Sequence, residues 1–183
     1  MAARVISGKA KGRRLKLVPG DTTRPIMDRV KESLFNILGE IDDTRWLDLF
    51  AGTGQVGIEA LSRGATEVFF VDNSRVAIQT IRENLVHTGL SDGAVVLYTD
   101  AFNFLSGFKA LPFDIIYVAP PQYKEMWVGV IKNIDSVATR YLNEDGLVVV
   151  QIDPREYVDL DLENLGLIDR RRYGNTLLCF YQE

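Results

Sequence analysis

Cysteine and histidine are almost missing from this chain: Cys179 and His87 are the only ones in 183 residues. A single cysteine forbids an intrachain disulfide and makes a reducing compartment, the cytoplasm, the expected location. One cysteine with one histidine also leaves no ligand set for zinc, and no metal site is expected. His87, alone near the end of a helical pattern, reads as a surface or capping residue. No apolar run approaches the roughly 18–20 residues that a bilayer span requires. The first residues are polar and basic, which argues against a secretory leader; no membrane partner is expected. Low-complexity tracts and internal repeats are absent too. The length suits one domain with at most a small appendage.

Charge is unevenly spread. The chain carries −4 in all, yet residues 1–31 hold nine basic and two acidic side chains, which leaves −11 on the rest. A basic arm on an acidic body is the footprint of polyanion binding, with a merely solvated basic surface as the competing explanation. Val5 and Ile6 precede the glycine-bracketed GKAKG at 8–12, and Leu15 and Leu17 then alternate with Arg14 and Lys16. That pattern predicts a hairpin with a basic turn and a basic face. The candidate polyanion contacts are Arg4, Lys9, Lys11, Arg13, Arg14, Arg24, Arg29 and Lys31. The chain thus divides into a basic hairpin extension, 1–26, and a main domain, 27–183.

Asp28 is the expected N-cap of a helix carrying Val30, Leu34, Ile37 and Leu38, stopped by Gly39. Strands and helices alternate from there. The expected strands are 45–50, 67–72, 94–99, 113–118 and 147–152. The helices between them cover about 55–63, then Ser74 to His87 with Gly89 as C-cap, a short one opening at 100–102, and roughly 124–142. Two final strands, 166–172 and 175–182, flank Gly174-Asn175, a hairpin signal. The fold class is therefore α/β, a doubly wound, mainly parallel sheet closed by an antiparallel strand.

Ligands in such sheets sit outside the C-terminal ends of the strands, and the special residues of this chain cluster there. Gly52, Gly54 and Gly57 follow the first strand in a G-x-G-x-x-G turn into a helix, a place where backbone N–H groups face a ligand. Asp48 lies inside that strand, where a carboxylate is costly without a partner. Asp72 ends the second strand and suits a ribose diol; dinucleotide and S-adenosylmethionine sites share such an acid, and the turn alone does not separate them. Asp100, Ala101 and Phe102 follow the third strand. Ala119-Pro120-Pro121-Gln122-Tyr123 follows the fourth.

An in-strand acid ahead of Ala51-Gly52-Thr53-Gly54 resembles the first motif of the class I methyltransferases. The segment 119–123 resembles the [Asp/Asn]-Pro-Pro-[Tyr/Phe] motif of enzymes that methylate exocyclic amines of bases. Adding RVISG at 4–8, GRRL at 12–15, TRP at 23–25, DRVKESLFN at 28–36, LDLFAGTG at 47–54 and GIEALSRGA at 57–65, the chain resembles the RsmD family of 16S rRNA guanine-N2 methyltransferases. The resemblance implies a seven-stranded class I sheet and S-adenosylmethionine as methyl donor. Asp48 would serve its methionine end together with Phe50, Ala51, Gly52, Thr53 and Gly54. Asp72, Asn73 and Ser74 would serve the ribose, and Asp100, Ala101 and Phe102 the adenine. It further implies 16S rRNA, or the assembling small ribosomal subunit, as partner; a monomer is expected.

Catalysis would fall to Ala119, Pro120, Pro121, Gln122 and Tyr123. In the family, an acidic or amide side chain and the first proline's carbonyl accept the amine hydrogens, and an aromatic ring stacks on the base. Here the side-chain acceptor is replaced by Ala119, and Gln122 occupies the aromatic position with Tyr123 next to it. Pro120 O and the Gln122 side chain are the expected acceptors. The alternative is a catalytically weakened or inactive RNA-binding relative that acts in ribosome assembly.

Overall fold

The computed structural model describes residues 3–20, 25–109 and 111–183. Its strands are β1 (Arg45–Asp48), β2 (Glu67–Asp72), β3 (Ala94–Tyr98), β4 (Phe113–Val118), β5 (Leu142–Ile152), β6 (Gly166–Tyr173) and β7 (Thr176–Gln182). They form one sheet in the order β3-β2-β1-β4-β5-β7-β6. β7 alone runs against the others, so the expected single antiparallel strand is present. The chain builds outward from β1 to β3, then returns to lay β4 along the free side of β1. That reversal puts a topological switch point between β1 and β4, where Asp48 pairs with Tyr117.

Among the described residues, six α-helices cover the two faces: α1 (Asp28–Leu38), α2 (Gln55–Ser62), α3 (Arg75–Thr88), α4 (Ala101–Gly107), α5 (Met126–Asp135) and α6 (Ala138–Tyr141). Val30, Leu34 and Phe35 of α1, Val56, Ile58 and Leu61 of α2, and Ile78, Ile81 and Leu85 of α3 fill one core. Phe104 and Leu105 of α4, Trp127, Val130 and Ile131 of α5, and Tyr141 of α6 fill the other. Helical spacing of apolar residues sets each inward stripe, and strands covered on both faces read as near-continuous apolar runs. Gly57 shows how close the layers come. A Cβ there would stand 2.3 Å from Phe70 Cε1, so only hydrogen fits.

Ser74 caps α3 by accepting from Ala77 N, and Gly89 closes it in the left-handed region, as expected. Asp28 does not cap α1. Met27 holds the cap position, and Asp28, the first helical residue, pairs with Arg4 at 2.7 Å. The single helix expected over 124–142 is two, and β5 starts at Leu142. The break follows Asp135, whose carboxylate accepts from the backbone N–H groups of Glu163, Asn164 and Leu165 at 2.8–3.0 Å. That tie to a segment 28 or more residues later leaves no mark in the helical period.

Among the described residues, the basic hairpin is a packed ribbon with one antiparallel bridge, Arg4 to Arg14, and no regular strands. Val5 N donates to Arg13 O at 2.9 Å and Leu15 N to Ala3 O at 2.8 Å. Val5, Ala10 and Leu15 belong to the first core. The turn of the ribbon sits on α2: Lys9 N donates to Ser62 O, Ala10 N to Ser62 Oγ, and the Ile6 and Ser7 N–H groups to Glu59. Gly8, at φ +78°, lies so close that a Cβ would fall 1.7 Å from Ser62 O.

Candidate active site

The glycine turn is held from three sides. Ala51 N donates to Val71 O at 3.0 Å, and Gly52 N donates to Asp72 Oδ2 at 2.9 Å. Asn84 of α3 donates to Thr53 O at 3.0 Å. The second Asp72 oxygen accepts from Ser74 N at 2.8 Å. Asp72 therefore braces the turn that it faces, and each of its oxygens keeps a further lone pair for a ligand. Phe50 is half-buried against the second core, and Asn73 is exposed beside Asp72.

Asp48 is buried, and only one of its oxygens is used: Oδ2 accepts from Gly57 N at 3.3 Å, while Oδ1 has no partner. Burial pushes its pKa up to about 7; the Gly57 N–H opposes that rise and the nearby Asp72 charge adds to it. Gln55 Oε1, at the start of α2, is likewise buried without a partner. Two orphaned acceptors beside a glycine turn are costly in a folded chain and mark a place for donors from outside.

Asp100 caps α4, its Oδ1 accepting from Phe102 N and Asn103 N at 3.0 Å. Phe102 is partly exposed and its ring lies against Gly129 of α5. After β4 the chain leaves the sheet through a half-buried Ala119 and a buried Pro120 into an exposed turn at Gln122 and Tyr123. Tyr123 takes φ +61°, and its surroundings hold it there. Its N–H donates to Glu156 at 2.6 Å, its hydroxyl donates to Asp153 Oδ2 at 2.9 Å, and Arg155 donates to that hydroxyl. The Arg155 guanidinium beside Asp153 holds that carboxyl well below the usual carboxylate range, and the bond to Asp153 raises the Tyr123 phenol. Cys179 is buried, which pushes its thiol up to about 12, and it has no nucleophilic part here.

Residues 3–182 match the family described as Conserved hypothetical protein 95. The chain belongs to that family. It is the RsmD family that the motifs resemble. YlbH of Bacillus subtilis (strain 168), provisionally named an rRNA methyltransferase, is 39% identical over 183 residues, covering 98% of each chain. Ribosomal RNA small subunit methyltransferase D of Escherichia coli (strain K12) is 33% identical over 180 residues, 98% of this chain and 89% of that one. The solved structure of yhhF from Escherichia coli, provisionally named a methyltransferase, superposes with a TM-score of 0.86 at 31% identity, covering 100% and 98%. The sheet is that of the class I methyltransferases.

In this RsmD family member the basic residues divide into two groups. Lys9, Lys11, Arg13 and Arg14 are exposed on the ribbon, and Arg13 donates to His87 O at 2.9 Å. Arg4 is exposed and pairs with Asp28. Arg29 lines a cleft of about 290 Å³ with Met27, Arg172 and Tyr173. Arg24 lies outside the described residues. Lys31, expected on the nucleic-acid face, is instead fully buried. Its ammonium donates to Arg4 O at 2.5 Å and pairs with Glu59 at 3.3 Å. Its position on α1 faces the ribbon, and burial lowers its pKa despite Glu59.

Sequence reasoning passed over Asn84, Glu59, Tyr117 and Gln151. Glu59 and Asn84 sit amid apolar helix faces, where a polar residue is the signal to look for. Tyr117 and Gln151 lie inside strands that read as β-branched runs. Their hydroxyl and amide meet at 2.5 Å only because β4 and β5 pair. Arg172 and Tyr173 were hidden likewise, since the partner that forms their cleft is α1.

Proposed function

We propose that this protein is an S-adenosylmethionine-dependent rRNA methyltransferase whose target is the exocyclic N2 amine of a guanine in small-subunit (16S) rRNA. The observation that carries the reading is the pair of carboxylates, Asp48 and Asp72, on either side of the glycine turn at the switch point. Relatives named as small-subunit rRNA methyltransferases, matched over nearly the whole chain, support the substrate class.

The residues present fit the cofactor. The unpartnered Asp48 Oδ1 suits a cationic end, and no atom lies within 4 Å of a Cβ built on Gly52, so the turn opens onto space. Asp48 would hold the amino-acid end beside Phe50 to Gly54. Asp72, with Asn73 and Ser74, would accept from the ribose hydroxyls, and Asp100 to Phe102 would border the adenine. Bound there, S-adenosylmethionine supplies a methyl group that bonds to a nitrogen lone pair as the sulfur–carbon pair stays on sulfur.

The protein's own contribution is placement. Pro120, leaving the end of β4, offers its carbonyl to one amine hydrogen, and Pro121 stiffens the loop. Ala119, Gln122 and Tyr123 complete the wall that the base meets, and the target base must leave its stack to reach it. The ribbon residues Arg4, Lys9, Lys11, Arg13 and Arg14, with Arg29, neutralise phosphates at the rim. Residues 1–26 act in this reading as the RNA-holding extension of the catalytic domain.

The decisive experiment incubates the protein with S-adenosylmethionine and undermethylated small subunits, then reads rRNA nucleosides by mass spectrometry. New N2-methylguanosine is expected. A methyl group on another atom replaces the substrate assignment. RNA binding without any methyl transfer leaves a binding factor in its place.

A further inference from the structure

The family motif puts an acceptor side chain at position 119, and Ala119 supplies only a methyl group. The neighbouring strand compensates. β4 and β5 run parallel, with Tyr117 beside Val149 and Val118 beside Val150. One residue past that last pair, where β4 ends, Ala119 packs against the same core as Tyr117 and Val149, and Gln151 follows Val150. Residues two apart share a face, as do partners on adjacent strands. Tyr117, Ala119 and Gln151 therefore occupy one face at the C-terminal ends, and the 2.5 Å bond from the Tyr117 hydroxyl to Gln151 Oε1 runs across it. Tyr117 itself pairs with Asp48 of β1. Asp48, Tyr117 and Gln151 thus span three adjacent strand ends, from the glycine turn to the Pro120 loop. Gln151 is half-buried, whereas Gln122 stands exposed in the turn beyond Pro121.

We infer that Gln151 replaces the acceptor missing at Ala119: its Oε1 receives a hydrogen from the substrate's exocyclic amine beside the Pro120 carbonyl, and Tyr117 positions the amide. This rests on the function proposed above. An amide oxygen has two lone pairs, one for Tyr117 and one for the amine. Its NH2 group can donate to the ring nitrogen next to the amine-bearing carbon, so one side chain recognises both features of a guanine edge. No covalent bond changes at Gln151, and the amide takes up no proton; the proton lost by the methylated nitrogen passes to water. Tyr117 is a positioning residue, held neutral because burial, with the nearby Asp48, raises its pKa well above the ordinary value.

The test uses the full chain and undermethylated small subunits in single turnover. Gln151→Ala should lower the single-turnover methylation rate by about 5- to 150-fold, with S-adenosylmethionine affinity within about twofold of wild type. Tyr117→Phe should give a smaller loss of kcat, and Gln151→Glu should keep most of the rate. Ala119→Asp placed in Gln151→Ala should restore the rate, which a packing role for Gln151 does not allow. Equilibrium binding supplies a readout apart from turnover. With inosine at the target nucleotide, which lacks the amine, wild type should bind more weakly than with guanosine, and Gln151→Ala should show a smaller preference, the remainder coming from the Pro120 carbonyl. Wild-type rate and undiminished guanosine preference in Gln151→Ala overturn the inference and leave the proposed function standing. Loss of fold in Gln151→Ala moves the decision to Tyr117→Phe and Gln151→Glu: unchanged kcat in the first with a dead second also overturns it. Wild type that methylates no rRNA at all overturns both.

Discussion

Asn84 and Thr53 are joined by a 3.0 Å hydrogen bond from the asparagine amide to the carbonyl in the glycine turn. The same amide group also donates to Lys16 O at 3.0 Å and accepts from Lys16 N at 2.8 Å. One fully buried side chain of α3 thus ties the basic ribbon to the glycine turn. Asn84→Ala should cost about 1–3 kcal/mol of stability, because it strands partly buried backbone groups on both segments. S-adenosylmethionine and RNA affinity should fall together. Thermal melting with separate cofactor and RNA titrations checks this; loss of one affinity alone would show that the two segments are not coupled through Asn84.

Asp48 gives the protein a pH dependence. Its pKa in the fold, about 7, lies above the ordinary carboxylate value, chiefly through burial. The folded state therefore binds the extra proton between about pH 4 and 7, and stability falls as pH rises through that window. The full penalty, roughly 4 kcal/mol, applies above pH 7. Asp48→Asn should flatten the profile and melt higher than wild type at pH 8. Cofactor binding at pH 6 should release nearly one proton from wild type and almost none from Asp48→Asn, measured by calorimetry in two buffers of different ionisation enthalpy.

The Lys31–Glu59 pair should be asymmetric. Glu59 also holds the Ile6 and Ser7 N–H groups and Arg63, so Lys31→Met leaves it partnered. Glu59→Ala leaves a buried ammonium with Arg4 O as its one partner among the described residues, and a cost of roughly 3–5 kcal/mol is expected. Burial already lowers the Lys31 pKa, and losing Glu59 lowers it further. The unfolded chain then binds the extra proton, and Glu59→Ala should regain stability as pH rises towards 10. Urea denaturation of both variants at pH 7 and 9.5 decides it; equal costs at both pH values would contradict the assignment.

Gly57→Ala places a methyl group 2.3 Å from the Phe70 ring. The start of α2 must move away from β2, at a cost of about 1–3 kcal/mol, and the Gly57 N–H that serves Asp48 moves with it. Melting should fall and S-adenosylmethionine affinity with it. Unchanged cofactor affinity in a destabilised variant would separate helix packing from the site.

Much of this was legible along the chain. Apolar runs four to six residues long, broken by Gly52–Gly57, Ser74 and Gly89, mark the strand and helix alternation because each signal acts within a few residues of itself. Strand-end acids and the Pro120-Pro121 loop follow from the same local order. The sequence by itself thus determined the α/β class, the family and which strand ends carry the acids and the Pro120-Pro121 loop. Only the tertiary structure decided that Lys31 is a core residue, that the basic segment is packed on α2 and α3, and that Tyr117 and Gln151 meet. Those outcomes depend on contacts across 27 to 68 residues. A polar side chain in such a place looks like any surface residue until the partner that satisfies it has been brought alongside.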